Sequence, residues 1–236
     1  MSKPTHIDLF SGIGAFSLAA RWAGFETILH CEIDPYCQRV LEKNFPEVPI
    51  HGDVHTLRNA RFADLLTGGH PCQPFSGVGE QRDFADDRDL WPEMFRCITE
   101  IRPTWVVAEN VERFSRVGLD RTLSDLEGAG YAAGSLVFPA LAVGAQHRRQ
   151  RTFTLAYAGG KGLEGSALTS NAEHLQVHQD ILSRYDRPSM PRVLRGGHGI
   201  PHALDQIRVL GNAIVPQQCY PILKLIADNI IEERAA

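Results

Sequence analysis

Residues 5–17 read THIDLFSGIGAFS, and this stretch decides the fold. THIDLF is a short strand candidate, the glycines of SGIG follow it, and AFSLAARWA then recurs with helical spacing. A strand that turns through glycines into a helix is the opening unit of a doubly wound sheet. In such sheets ligands bind outside the carboxyl ends of the strands, where glycine lets backbone come close. The spacing is not GxGxxG, so a dinucleotide fingerprint is not supported. Taken alone, the loop equally suits a tight strand-to-helix turn, which needs glycine in any case.

Working outward, strands and helices alternate. ETILHCEI reads as a second strand, and PYCQRVLEKNF as a helix with proline in its first turn. ADLLTGG, TWVVAEN, GSLVFPA and RTFTLAYA are further strand candidates, while LWPEMFRCITEI and LDRTLSDLEGAG have helical spacing. The alternation predicts an α/β fold: a doubly wound, mostly parallel sheet with helices on both faces. From Gly159 to Asp205 the pattern breaks into Gly, Pro, His, Arg and Ser, as a flexible insert or a small irregular second lobe. The chain closes on VPQQCYPILKLIADNIIEERAA, apolar at helical intervals from Ile222 to Ile231. The expected division is a catalytic and cofactor-binding domain over 1–157, a short recognition region over 158–205, and a segment over 206–236 returning to the first domain.

Composition narrows the class without choosing the function. The 236 residues are 43% hydrophobic and 22% charged, ordinary for a soluble globular protein with one full core. No apolar run approaches the roughly 18 residues that span a bilayer, and MSKPTHIDLF has no signal-peptide core, so a cytoplasmic protein is expected. Five cysteines at wide spacing, none in a CxxC pair, predict free thiols and no metal site. With a formal charge of −4, any nucleic-acid surface must be a local patch.

Two acids extend the reading of the first loop. Glu32 ends the second strand about twenty residues on, where an acid commonly accepts hydrogen bonds from ribose hydroxyls. Asp53, in GDV, ends a short extended stretch. Each acid alone is more often a solvated loop charge or a helix cap. Together, a glycine loop and two acids at successive strand ends point to an adenosine-bearing ligand.

Reactivity centres on residues 68–79, GGHPCQPFSGVG. Pro71 and Pro74 restrict the backbone around Cys72, as suits a thiol aimed at one atom, and SGVG reads as a mobile loop. The bland alternative is a small apolar residue in a tight turn. Glu109 follows four largely apolar residues in TWVVAEN and should emerge at the same sheet edge. Partial burial there would raise its pKa toward neutrality; the alternative is a helix N-terminal acid. Arg149 and Arg151, in QHRRQRTF, project the same way if extension begins early, and otherwise form a solvated basic rim.

In chain order, DLFSGIGAFS, CEID, GDV, GGHPCQPFSGVG, AENVERF, HRRQRTF and RVLGNAIVPQ form a set that resembles the cytosine-C5 DNA methyltransferases. These are Rossmann-like class I enzymes that use S-adenosylmethionine and release S-adenosylhomocysteine. The resemblance runs from Asp8 to about Gln217, apart from the irregular stretch. It implies that Phe10, Ser11, Gly12, Ile13 and Gly14 form the loop around the cofactor, with Phe10 against the adenine. Glu32 would hold the ribose hydroxyls, Ile33 would pack on the adenine, and Asp53, beside Val54, would reach its exocyclic amine. Pro71 and Leu90 would line the same pocket, and Asn212 with Ala213 would join the C-terminal segment to it.

For catalysis the resemblance implies that Cys72 adds to C6 of a flipped cytosine and raises electron density at C5. Glu109 would support N3, and Arg151 with Arg149 would hold O2. Gln73 and Ser76, on the 71–88 loop, would close over the base in double-stranded DNA. Two departures stand out. His147 occupies a position where many members have glutamine, and the recognition region is short, which implies a short or degenerate target. Within it Arg184, Arg187, Arg192 and Arg195 would meet phosphates or guanine edges, or form a solvated cluster. The expected protein is a monomeric DNA methyltransferase of a bacterial or phage-infected cell, orphan or paired with a separate restriction endonuclease. The alternatives are a tRNA cytosine-C5 methyltransferase and a non-catalytic regulator that binds cofactor or DNA.

Overall fold

The computed structural model describes residues 2–71, 89–112, 114, 118–145, 148–159 and 213–235. Cys72, Gln73, Ser76, His147, Arg184, Arg187, Arg192, Arg195 and Asn212 lie outside them, as do the SGVG loop and the 160–205 stretch.

The strands are β1 (Thr5–Leu9), β2 (Glu26–Cys31), β3 (Ile50–His51), β4 (Leu65–Gly68), β5 (Trp105–Val111), β6 (Ala132–Pro139) and β7 (Gln150–Tyr157). Between them run α1 (Ala15–Ala23), α2 (Pro35–Asn44), α3 (Trp91–Ile101) and α4 (Leu119–Gly128), and α5 (Pro216–Ala235) closes the chain. One sheet takes all seven strands in the order β3-β2-β1-β4-β5-β7-β6. The five strands from β3 to β5 pair in parallel; β7 runs antiparallel to both its neighbours. The order reverses between β1 and β4, the switch point where doubly wound sheets open a crevice. The expected Rossmann-like α/β class holds, with β7 as the reversed strand.

Local sequence explains the elements on either side of that crevice. Asp34 caps α2 by accepting from the backbone N–H groups of Tyr36 and Cys37, with Pro35 in the first turn. α1 stops at Gly24, whose φ of 100° is the left-handed cap that glycine adopts without strain. Strand alternation then builds two cores. Leu65, Trp105, Val107 and Phe153 join Phe16 of α1 and Ile222, Leu223 and Ile226 of α5 on one face. Leu66, Val106 and Ala108 join Trp91, Met94 and Ile98 of α3 on the other. The helix expected from Ile222 to Ile231 is therefore part of the core, and Gln218 at its start donates to the carbonyls of Phe138 and Arg149. Among the described residues, no helix is long and apolar enough to cross a membrane.

Candidate active site

A cavity of about 300 Å³ opens at the carboxyl ends of β1, β2, β4 and β5. The β1–α1 loop forms its floor, and its backbone explains the glycines. Phe10 and Gly12 have φ of 52° and 54°, and Gly14 has 83°. A side chain at Gly14 would place its Cβ 2.6 Å from Phe45, so only glycine fits there. Ser11 ties the loop down, its hydroxyl donating to the Asp8 carbonyl at 2.6 Å and its N–H to the Cys31 carbonyl at 3.1 Å.

Glu32 joins that loop to the next. Its carboxylate accepts from the N–H of Gly12 at 2.7 Å and of Asp34 at 2.8 Å, one oxygen to each. Both are charge-assisted bonds, which fix the carboxylate at the cavity wall. Ile33 beside it is 68% exposed at the mouth, an apolar surface that suits contact with a flat ligand. Asp53 lines the adjoining wall and caps the 3-10 turn Val54–Thr56 by accepting from the His55 N–H at 2.9 Å. The cap and the wall position are thus compatible uses of one side chain. Pro71, Leu90, Ala213 and Ile214 complete the lining. Of the residues expected around a cofactor and described here, only Gly14 stands behind the wall rather than in it.

Glu109 reaches the same cavity from β5, 7% exposed. Arg151 on β7 pairs by Cα with Val111, two residues beyond Glu109 and on the same side of the strand. That diagonal position brings its Nε to 2.6 Å from Glu109 Oε1. Burial pushes the Glu109 carboxyl up to about 7, against the opposing pull of Arg151 and Arg149. A Cβ on Gly69 would stand 3.2 Å from Glu109 Oε2, so this glycine leaves the carboxyl its room. The raised acid expected at this strand end is in place.

Arg149 departs from the expected extended pair. Strand β7 begins at Gln150, and Arg149 has φ of 31°. Its guanidinium therefore turns to donate to the Ala213 carbonyl, while Arg151 meets the Glu109 carboxylate. Arg149 still contributes positive charge near Glu109, and burial together with Arg151 lowers its own pKa.

Sequence reading passed over two residues behind the site. Asn110 Nδ2 donates to the His70 carbonyl and lies 3.2 Å from His70 Nε2, linking the end of β5 to the segment leading into Cys72. Burial against Trp91 and Phe114 pushes His70 down to about 4, so its ring is neutral and can accept from Asn110. The available signal was adjacency: His70 stands beside Pro71, and Asn110 beside Glu109.

Residues 5–193 match the family described as C-5 cytosine-specific DNA methylase. The Type II methyltransferase M2.BsuMI of Bacillus subtilis (strain 168) is 33% identical over 159 residues, 64% of this chain and 41% of that protein. The Type II methyltransferase M.HhaI of Haemophilus parahaemolyticus is 34% identical over 158 residues, again 64% of this chain and 48% of that protein. The chain thus spans less than half the length of either relative. In architecture it is similar to the S. pombe Dnmt2 methyltransferase, with a TM-score of 0.55 at 21% identity over 72% of this chain and 57% of that one.

Proposed function

The chain belongs to the C-5 cytosine-specific DNA methylase family, and on that premise we propose that it methylates cytosine at C5 in double-stranded DNA. The observation that carries the reading is one cavity with two chemically distinct ends. At one end stand the glycine loop, Glu32 and Asp53; at the other, Glu109 is held by Arg151.

The first end fits S-adenosylmethionine. The whole cavity, at about 300 Å³, lies at the lower edge of ordinary ligand pockets. Glu32 offers a fixed carboxylate to ribose hydroxyls, and Phe10, Ile33, Val54 and Leu90 offer apolar surface to a purine. Asp53 would accept from the adenine amine, while Ser11, Gly12, Ile13 and Pro71, with Asn212 and Ala213 opposite, would enclose the remainder. When bound, this cofactor supplies an electrophilic methyl group.

At the second end the chain's own residues prepare the base. The Cys72 thiolate would add to C6 of a flipped cytosine, moving electron density toward C5. Glu109, with a pKa of about 7, would hold a proton at N3 as charge develops there. Arg151 would face O2 and keep the Glu109 carboxyl oriented. Arg149 would act from behind, through the Ala213 carbonyl. Gln73 and Ser76 would meet the DNA around the base, and Arg184, Arg187, Arg192 and Arg195 of the 158–205 recognition region would meet phosphates or guanine edges. A separate restriction endonuclease is the natural partner of such an activity.

Methyl transfer from labelled S-adenosylmethionine to duplex DNA and to tRNA tests the substrate, with transfer to duplex DNA expected. Transfer to tRNA alone would replace the DNA reading. With S-adenosylmethionine present, duplex DNA containing 5-fluorocytosine should trap the unaltered chain covalently, because the fluorine at C5 leaves no proton to eliminate after methyl transfer, and Cys72→Ala should form no adduct while binding S-adenosylhomocysteine within about twofold of normal. Turnover retained in Cys72→Ala would remove the assigned nucleophile.

A further inference from the structure

The wall that carries Asp53 and Val54 is a short turn, closed within itself by backbone bonds and by the side chains of Asp53 and Thr56. It follows a two-residue strand, β3, and has two internal backbone bonds, Thr56 N–H to the Asp53 carbonyl and Leu57 N–H to the Val54 carbonyl. A single 3-10 turn leaves its last carbonyls pointing outward, and such turns hold poorly by themselves.

Two arginines take carbonyls of the turn, that of Val54 in addition to its bond from the Leu57 N–H. Arg96 donates through Nη2 to the Val54 carbonyl at 2.7 Å and through Nη1 to the Leu57 carbonyl at 3.1 Å. Arg58 donates through Nη1 to the carbonyls of His55 at 3.0 Å and Leu57 at 2.7 Å. Helix α3 holds both in turn. Arg96 pairs with Glu93 and Glu100, each at 2.8 Å, and Glu100 also stands 3.9 Å from Arg58. Glu93 further faces His55 Nδ1 at 3.6 Å. The same helix is preceded by Leu90, which lines the cavity. One helix thus sets an apolar part of the lining and fastens the turn whose first residues form another.

We propose that Arg96 is a positioning residue for purine recognition: its fork holds the Val54–Leu57 turn to α3 so that Asp53 meets the six-amino group of the bound nucleoside. This inference rests on the proposed function, in which that nucleoside is adenosine. Arg96 touches no ligand; it acts through the backbone that carries Asp53. The task needs a guanidinium. Its planar donors serve two carbonyls and two carboxylates at once, whereas an ammonium on a flexible stem keeps the charge but cannot bridge all four.

The test is titration calorimetry of the full chain with S-adenosylhomocysteine and with its inosine analogue, in which an oxo group replaces the six-amino group. The unaltered chain should bind the adenosyl compound at least about tenfold more tightly, because the oxo group sets a lone pair, in place of an N–H donor, against the Asp53 carboxylate. Arg96→Lys should weaken the adenosyl compound about fivefold to tenfold and the inosine analogue less than about twofold, so that selectivity collapses. Arg58→Lys, which leaves Arg96 in place, should shift both affinities in the same sense by a smaller factor. Equal losses for the two ligands in Arg96→Lys, or no loss, would overturn the role of Arg96 alone. An unaltered chain that binds both compounds equally would overturn the contact of Asp53 with the amine and this inference with it. An unaltered chain that binds neither would overturn the proposed function itself.

Discussion

Asp8 and Glu109 are buried carboxyls at the ends of β1 and β5, and burial pushes both up to about 7. Their surroundings are otherwise opposite. Asp8 is fully buried and, among the described residues, meets only neutral donors: the Ser17 hydroxyl at 2.7 Å, the Ser17 N–H at 3.2 Å and the Thr67 hydroxyl at 3.1 Å. Behind them, His30 Nε2 lies 2.9 Å from Ser17 Oγ, and His6 Nε2 lies 2.8 Å from Thr67 Oγ1. Burial pushes those rings down to about 4 and about 3, so they remain uncharged. Glu109 instead faces a guanidinium and lines the cavity. The closed network beneath the glycine loop ties β1, β2, β4 and α1 together. The pair at β5 lies open to the cavity. A displaced pKa therefore marks chemistry only where the group also reaches a place where a reactant can sit.

The comparison breaks most visibly at Glu109. Glu109→Gln keeps the size and a donor but cannot exchange a proton, and turnover should fall by at least about 100-fold. In the proposed mechanism the protonated form is the active one, so activity of the unaltered chain should decline as pH rises through about 7. Steady-state rates across a pH series check both points, and a full rate in Glu109→Gln would end the acid assignment. Arg151→Met is expected to be milder, with turnover lower by about tenfold. The positive charge of Arg151 holds Glu109 down, so its removal should move the alkaline decline to higher pH. A move to lower pH would show that some other group sets the profile.

Asp8→Asn should sharpen the contrast with the smallest effect. A carboxyl raised from 3.8 to about 7 binds its proton more tightly in the folded chain than in the unfolded one. Its stabilising contribution is complete below the unfolded value and is lost as pH rises through about 7, at up to about 1.4 kcal/mol per pH unit. Urea denaturation at several pH values should therefore give a flatter stability profile in Asp8→Asn, and likewise in Glu109→Gln. Of these two variants, only Glu109→Gln should alter the pH–rate profile. A shifted profile in Asp8→Asn would join the two regions into one titrating system.

Much of this was legible along the chain because its causes are local. Period-two apolar runs found all the longer strands, proline and Asp34 marked the start of α2, and left-handed glycines marked the turn into α1. The emergence and raised pKa of Glu109 followed from an acid placed after four apolar residues of a buried strand. Other features depend on partners far away in the chain. Arg149 and Arg151 look equivalent at a spacing of two, yet extension begins between them, and one guanidinium turns to a carbonyl 64 residues on. Arg96 reads as one charge on an amphipathic helix, and its Val54 partner lies 42 residues earlier.

By itself, then, the sequence determined the α/β alternation, the strand ends that carry the site, and the residue types gathered there, because periodicity and turn chemistry act between near neighbours. The tertiary structure alone decided that β7 runs backwards, that Arg151 pairs with Glu109 while Arg149 turns to the Ala213 carbonyl, and that Arg96 fastens the turn bearing Asp53. Each of those depends on which distant groups packing brings within hydrogen-bond reach, and on the water that burial removes from around them.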